Sequence, residues 1–336
     1  MPGTHIEMES DPAGVTPLSA KILEGAWGPP SRRSFNFVLG PLFLFRKSFP
    51  ARSYAGNQIA VAALTGATEL IIPATDDFTA VDALVVDQQP IGAALPAITT
   101  SATCIRYVVK TWKNFYLHLG TSFDQYLQSI GKKSRKTLLY EVRKFAEFSG
   151  GEADFRVFRA PGEILAFHTF ARQVSSKTYQ ERNLKFGFPD TAEFKKQLTD
   201  MAAADAVRGF VLFHQQAPIA FMYCPVIHGV VHYEQIGYDP AFRRHSPGTV
   251  LQYYAFRSLF EEQRFELLDF GSGEGRHKEV YSSGFVTCSR IFYFAPTFRN
   301  RMLVTMHKSF NRFADALASV AERSGVKRRI KKLFHR

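Results

Sequence analysis

The sequence predicts an α/β (α+β) protein in which a mixed sheet is flanked by helices. Short runs rich in β-branched and aromatic residues alternate with segments of helical period through most of the 336 residues. Between residues 208 and 239, three β-type runs follow one another: RGFVLFH, PIAFMYCPVI and VVHYEQIGYD. The turn-like QQAP and HG separate them, so the first two are expected to pair as a hairpin with the third beside them. A content of 46% hydrophobic and 14% aromatic residues is ample for the core of one large domain or two ordinary ones.

Taken in chain order, residues 1–33 are rich in Pro, Gly and Ser and hold no sustained period, so a flexible leader is expected there. The opening MPGTHIEMESDPAG carries acids where a signal peptide would carry basic residues before an apolar core, so no signal peptide is expected. FNFVLGPLFLF, Phe35 to Phe45, is too short to span about 30 Å of hydrocarbon and is broken by Gly40 and Pro41. The expectation is a soluble, cytoplasmic protein.

Residues 34–118 alternate short apolar runs with turn residues and form a first lobe. SFDQYLQSIGKKSRKTLLYEVRKFAEFSGG then reads as a helix with a Ser122/Asp124 start, an apolar stripe of Leu138, Leu139, Val142 and Phe145, and a stop at Gly150-Gly151. Its other face carries Lys132, Lys133, Arg135, Lys136, Arg143 and Lys144. DFRVFRA is a strand, PGEILAFHTFARQVSSK a helix, KTYQERNLKFGFPD a polar loop and TAEFKKQLTDMAAAD a second helix. After the three β-type runs, a helix over 248–263 leads to FELLDFGSGEG, a buried strand ending in a Gly-rich turn, and VTCSRIFYFAP supplies a last strand. Residues 297–336 place Met302, Met306, Phe310, Phe313, Leu317 and Val320 at helical spacing before a basic tail from Lys327 to Arg336.

Charge and cysteine content narrow the partners. Lys and Arg number 42 against 30 Asp and Glu, a net charge of +12 that favours phosphates, nucleic acid or an acidic membrane face. Cys104, Cys224 and Cys288 stand in neither CxxC nor Cys/His spacing, so no disulfide framework and no metal site is encoded. No nucleic-acid readout motif is present. The basic tail suits an amphipathic segment lying on anionic lipid, with a solubilising tail as the alternative.

The segment HSPGTVL carries the strongest local signal. A helix N-terminus leaves main-chain N–H groups unpaired and positive, which attracts phosphate. Arg243 and Arg244 would reinforce it, Ser246 would cap it, Pro247 would preset its first turn, and Gly248 would let an anion approach Thr249 and its neighbours. An ordinary capped surface helix is the alternative.

The order hairpin, third strand, R-x-x-S-x-G, helix and strand resembles the coenzyme A site of the GNAT acyltransferase superfamily. That superfamily's signature is Q/R-x-x-G-x-G/A, with Ser246 standing here at the first glycine. KSRKTLLYEVRKF (133–145), SSKTYQ (175–180), APIAFMY (217–223), YDPAFRRHSPGTVL (238–251) and LLDFGSGEGRHKEVYSSGF (267–285) resemble, within it, the CelD/BioF2-like acetyltransferases, which are related to FemAB. The resemblance implies twin GNAT-like lobes, the first degenerate (34–118) and the second the acyltransferase domain (119–296). It implies direct transfer of an acyl group from acyl-CoA or acetyl-CoA to an amine or hydroxyl of a small molecule or a cell-envelope saccharide. Arg243, Arg244, Ser246, Gly248 and Thr249 would hold the donor. Ser176, Lys177, Tyr179 and Lys278 would line the acceptor side, joined by Asp269 at the end of its strand.

Such chemistry needs a base for the acceptor's proton and an acid for the leaving thiolate. Strand alternation groups His232, Glu234, Ile236 and Tyr238 on one face, and burial there would raise the Glu234 pKa to that of a useful base. An ion pair is the alternative for Glu234. Tyr281 can protonate the thiolate, or simply pack. Two other readings stay open: a FemAB-like transferase fed by a carrier protein or aminoacyl-tRNA, and a non-catalytic membrane-surface accessory module of polysaccharide synthesis.

Overall fold

The structure, a computed structural model, describes residues 27–39, 42–54, 56–178, 181, 187–273 and 275–323. Most of the expected leader, Tyr179 and the basic tail after Arg323 lie outside the described residues. The fold is mixed α/β, with a mixed sheet flanked by helices, as the sequence predicts. Two compact units divide it, Met1–Trp112 with Thr287–Arg336, and Lys113–Val286.

In the first unit, β1 (Ser31–Leu39) and β2 (Leu42–Ser53) form an antiparallel hairpin. The helix α1 (Gln58–Thr65) follows, capped by the Asn57 side chain. The strand β3 (Ala83–Pro90) runs parallel to β2, while β4 (Ile98–Thr100) pairs with the start of β5 (Ile105–His118). The last strand of the chain, described below as β12, pairs antiparallel with β3.

In the second unit, the single helix expected over 122–149 is two. The first, α2 (Phe123–Ser129), opens with a reciprocal capping box between Ser122 and Gln125. The second, α3 (Lys132–Phe148), starts after Ile130, which is extended and buried, so burying this side chain breaks the helix at Gly131. On α3 the apolar stripe Leu138, Val142 and Phe145 is buried, and Lys132, Lys133, Lys136 and Arg143 are exposed. Next come β6 (Asp154–Phe158), α4 (Ile164–Ser175) and α5 (Ala192–Ala203), the last capped by Thr191. The strands β7 (Val207–His214) and β8 (Ala217–Ile227) form the expected hairpin.

The third β-type run does not form one strand. It divides into β9 (Val230–His232) and β10 (Gln235–Tyr238), both antiparallel to β8. Val231 faces Val226 and Gln235 faces Tyr223, which leaves one extra residue on this side, a bulge at Tyr233 and Glu234. The helix α6 (Pro247–Glu262) then buries Val250, Leu251, Phe256, Leu259 and Phe260 in the main core of this unit. Each such side chain contributes on the order of 2 kcal/mol by leaving water. Arg208 on β7, wholly buried, anchors the far end of α6 through Glu262 and also binds Asp205 Oδ1 at 2.7 Å. The strand β11 (Leu267–Asp269), the short α7 (Arg276–Tyr281) and β12 (Gly284–Phe294) follow, and α8 (Phe298–Arg323) ends the described chain in the first unit.

Candidate functional site

The bulge decides where this sheet opens. The short strand β9 lies parallel to β11, Val231 beside Leu268 and His232 beside Asp269, whereas β10 pairs only with β8 among the described residues. The two neighbouring strands therefore part just after His232 and Asp269. Two main-chain bonds fix the point of parting: Tyr233 N donates to Asp269 O at 2.8 Å and Glu234 N to Tyr223 O at 3.2 Å.

Asp269 sits at this fork with 1% of its surface exposed. Its Oδ1 accepts from Asn114 Nδ2 and from Gly271 N, each at 2.7 Å. Gly271 has φ +69, a left-handed geometry that suits glycine and turns the chain back so that its amide reaches the carboxylate. The second oxygen, Oδ2, stands 3.6 Å from His232 Nδ1 and has no hydrogen-bond partner among the described residues. His232 Nε2 is likewise buried and without one. A carboxylate beside Nδ1 favours the tautomer with the proton there and the lone pair on Nε2. Burial pulls the His232 pKa below its ordinary value, against the opposing charges of Asp269 and Glu234, so the ring is neutral at pH 7.

Glu234 itself is exposed. The burial expected from strand alternation is not found, because the extra residue at the bulge breaks the alternation and turns this side chain to solvent. Cys224 is fully buried, which raises its thiol pKa and keeps it in the inert form.

Other residues singled out in the sequence lie in the same unit, and of these Lys278 stands next to the fork. Lys278 on α7 is half-buried and bonds the carbonyls of Phe270 (2.6 Å), Gly271 (3.2 Å) and Ser272 (3.3 Å), so it ties down the Gly-rich turn that follows β11. Burial lowers its pKa against the pull of Asp269. Lys177 donates to the buried Asp239 at 2.8 Å, at the end of β10, while Ser176 is exposed and caps back onto Gln173 O. Tyr281, its phenol pKa raised by burial, lines a small, shallow cleft together with Thr249, Gln252, Tyr253, Tyr126 and Leu138. That cleft brings Tyr281 to the first turns of α6, where Gln252 Nε2 is buried without a partner.

The loop before α6 is a 3-10 turn, Pro240–His245, with Arg243 and Arg244 exposed. Ser246 adopts φ 48 and ψ 45, the left-handed conformation, and its hydroxyl makes no capping bond. The cap expected of this serine is therefore replaced by its backbone geometry. Ser246 N and Thr249 N are used inside the loop, bonded to Arg243 O (3.2 Å) and Ser246 O (3.0 Å), and Pro247 has no N–H, so Gly248 holds the one main-chain amide of this segment outside those turns. A Cβ added at Gly248 would meet only Tyr238 Cδ1 at 3.5 Å, an ordinary contact, so packing does not demand glycine here. Bare backbone at a helix start is what an approaching anion requires. Lys144 Nζ reaches Arg244 O at 3.0 Å and joins the basic face of α3 to this loop.

Residues 132–279, from the start of α3 into α7, match the family model of the acetyltransferase (GNAT) domain. This segment is a GNAT-type acetyltransferase domain. Among solved structures, the chain is similar to FemX (10% identical over 81% of this chain and 89% of that one, TM-score 0.48). It is also similar to L-PGS from Bacillus licheniformis (15% identical, 93% and 99% covered, TM-score 0.46). A conserved protein of unknown function from Bacteroides thetaiotaomicron is 12% identical, with 73% and 79% covered and a TM-score of 0.46. No curated protein matches the chain. The GNAT domain thus contains the fork, the loop before α6, Lys177 and Lys278, while Asn114 and Tyr281 flank it.

Neither His232 nor Asn114 is among the candidate catalytic or binding residues read from the sequence. His232 looked like one more member of an apolar strand, and Asn114 lies about 150 positions from its partner, in the first-lobe segment. The one visible signal was the polar run HYEQ inside a strand that otherwise reads as core.

Proposed function

We propose that the chain is an acyltransferase that moves an acyl group directly from acyl-CoA to an amine or hydroxyl of a small molecule or cell-envelope saccharide, as the CelD/BioF2-like resemblance implies. A single observation carries this reading. The sheet forks beside the half-buried His232, whose Nε2 has no hydrogen-bond partner among the described residues, and the fork stands in the segment that matches the GNAT domain.

Arg243, Arg244 and the amide at Gly248 receive the donor's diphosphate. In the transfer step the acceptor's nitrogen or oxygen attacks the thioester carbonyl carbon, and His232 Nε2 takes up the proton that the acceptor loses. Asp269 holds the ring's tautomer and stabilises the imidazolium that forms, and Asn114 and Gly271 in turn hold Asp269. As the carbon–sulfur bond breaks, the thiolate leaves and accepts the Tyr281 phenol proton. Glu234, exposed on the bulge, draws a cationic acceptor to the mouth of the fork. Ser176 and Lys177 stand on the acceptor side. We place the protein in the cytoplasm, at the inner face of an anionic membrane.

The exposed basic face of α3 and its bond to the loop before α6 favour a second donor, an aminoacyl or acyl group on a larger anionic carrier. Calorimetric titration separates the two. With acetyl-CoA as donor, the full chain binds CoA and acetyl-CoA and its unfolding midpoint rises with ligand concentration. Gly248→Val abolishes this binding at an unchanged midpoint without ligand. Absence of binding to every acyl-CoA tried removes the CoA reading and leaves the carrier.

A further inference from the structure

The first unit carries large apolar side chains on its surface, and they fall in two places. On α8, Phe298 (82% exposed), Met302 (58%), Met306, Phe313 and Leu317 face solvent. At about 100° per residue, these five lie within an arc of about 100° along the helix. A neighbouring arc, Leu303, Val304 and His307, is buried against the sheet. So α8 has two adjoining apolar faces, one serving the core and one left bare. On the β1–β2 hairpin, Val38, Phe43, Leu44 and Phe45 are also exposed. Ring contacts join the two places: Phe310 of α8 meets Phe37 edge-on at 5.2 Å, and Phe37 stacks on Phe45 at 4.1 Å. The two exposed places thus flank one packed aromatic seam, and together they bare nine large apolar side chains.

Cations border it. Arg301, Lys308 and Arg312 run along the side of the bare stripe away from the core, and Arg46 lies over the Phe43 ring at 5.8 Å, next to Lys47. Asp315 is the one acid in the described part of α8 before Leu317. Past Arg323 the sequence adds Lys327, Arg328, Arg329, Lys331 and Lys332. A second copy of the chain would bring the same positive border against itself, at +12 per molecule. An anionic lipid surface accepts both features, the apolar side chains entering between headgroups while the cations meet phosphate. No described helix is long and apolar enough to cross a membrane, so the contact lies along the surface.

We infer that the bare face of α8 and the tip of the β1–β2 hairpin form one docking surface for an anionic bilayer. This deepens the membrane placement proposed above and is independent of the transferase chemistry, because the residues belong to the first unit and to no part of the fork. The basic tail strengthens the contact by charge, and the folded apolar surface defines it.

Co-sedimentation of the full chain with vesicles tests this, using phosphatidylcholine alone and phosphatidylcholine mixed with phosphatidylglycerol. The protein is expected to pellet with the mixed vesicles and not with phosphatidylcholine, less so at high salt. The pair Phe298→Ser and Phe313→Ser, and separately Leu44→Ser with Phe45→Ser, each weaken binding by about tenfold or more, since each removes buried apolar area from the lipid contact. All four positions are exposed, so acetyl-CoA binding stays as in the unaltered chain; the unfolding midpoint is unchanged in the Phe298/Phe313 pair and falls slightly in the Leu44/Phe45 pair, which loses the Phe45 stack on Phe37, so sedimentation is run well below both midpoints. Removing residues 324–336 weakens binding without abolishing it. Failure of the unaltered chain to pellet overturns the proposal, as does retention by both serine pairs with loss only on removal of the tail. Light scattering that shows a dimer, dissolved by the serine pairs, also overturns it in favour of a second copy. Loss of acetyl-CoA binding in the unaltered chain would count against the transferase reading alone.

Discussion

His307 in the first unit is buried and His232 in the second half-buried, and they differ in what their ring nitrogens meet. His307 Nδ1 pairs with Tyr107 Oη at 2.9 Å, its Nε2 stands 3.4 Å from Asn311 Nδ2, and the ring stacks on Phe35 at 4.1 Å. Both nitrogens are occupied, so this imidazole closes the seam between α8 and the sheet. His232 has a carboxylate near one nitrogen and, among the described residues, no hydrogen-bond partner on the other, at a place where two strands separate. Burial lowers both pKa values, His307 to about 4. The two rings therefore differ in what meets the second nitrogen and in their place in the sheet, which makes His232 the candidate of the pair for chemistry.

The largest expected effect separates the two in kinetics. His232→Gln lowers kcat for CoA-thiol release from acetyl-CoA by about a hundredfold or more, the range for loss of a positioned base, and leaves acetyl-CoA binding intact. His307→Gln keeps the unaltered kcat. Equal losses in the two variants would erase the distinction.

A smaller effect separates them in stability. The pKa of His307 is depressed in the folded chain, so the unfolded chain binds the extra proton first. Its contribution is whole above about pH 6.5, the ordinary histidine value, and is lost as the pH falls towards about 4. Urea unfolding across that window should show a decline that His307→Gln flattens, since the amide keeps a partner for Tyr107 and does not titrate there. A decline unchanged in the variant would assign it to other groups.

These two histidines also show what the sequence could tell. Helices α4, α5, α6 and α8, the β7–β8 hairpin, the strand before the Gly-rich turn and the helix start at Pro247 were legible, because apolar period and turn residues are local, whereas the short α1 and α7 were not read. The break at Gly131 was not, since it follows from burying Ile130 in a core assembled from distant segments. The bulge escaped for the same reason. Nothing in VVHYEQIGYD marks an extra residue; it appears only when the run is paired with β8, and with it Glu234 turns out to solvent while His232 stays at the fork. The loop before α6 could be read from its residue types as a candidate anion site, but its wiring could not, since Ser246 turns left-handed instead of capping and two of the amides are spent within the loop. Asn114 binds Asp269 across a long stretch of chain, and no spacing rule reaches that far.

The central claim, that the open nitrogen of His232 takes the acceptor's proton, is tested most directly by chemical rescue. In His232→Gly, CoA-thiol release from acetyl-CoA in the presence of an accepted amine is predicted to be nearly lost and to return as imidazole is added to the solution, with the restored rate tracking the neutral fraction of the added base. A rate in His232→Gly equal to that of the unaltered chain, or a loss that no concentration of imidazole repairs while acetyl-CoA still binds, would contradict it.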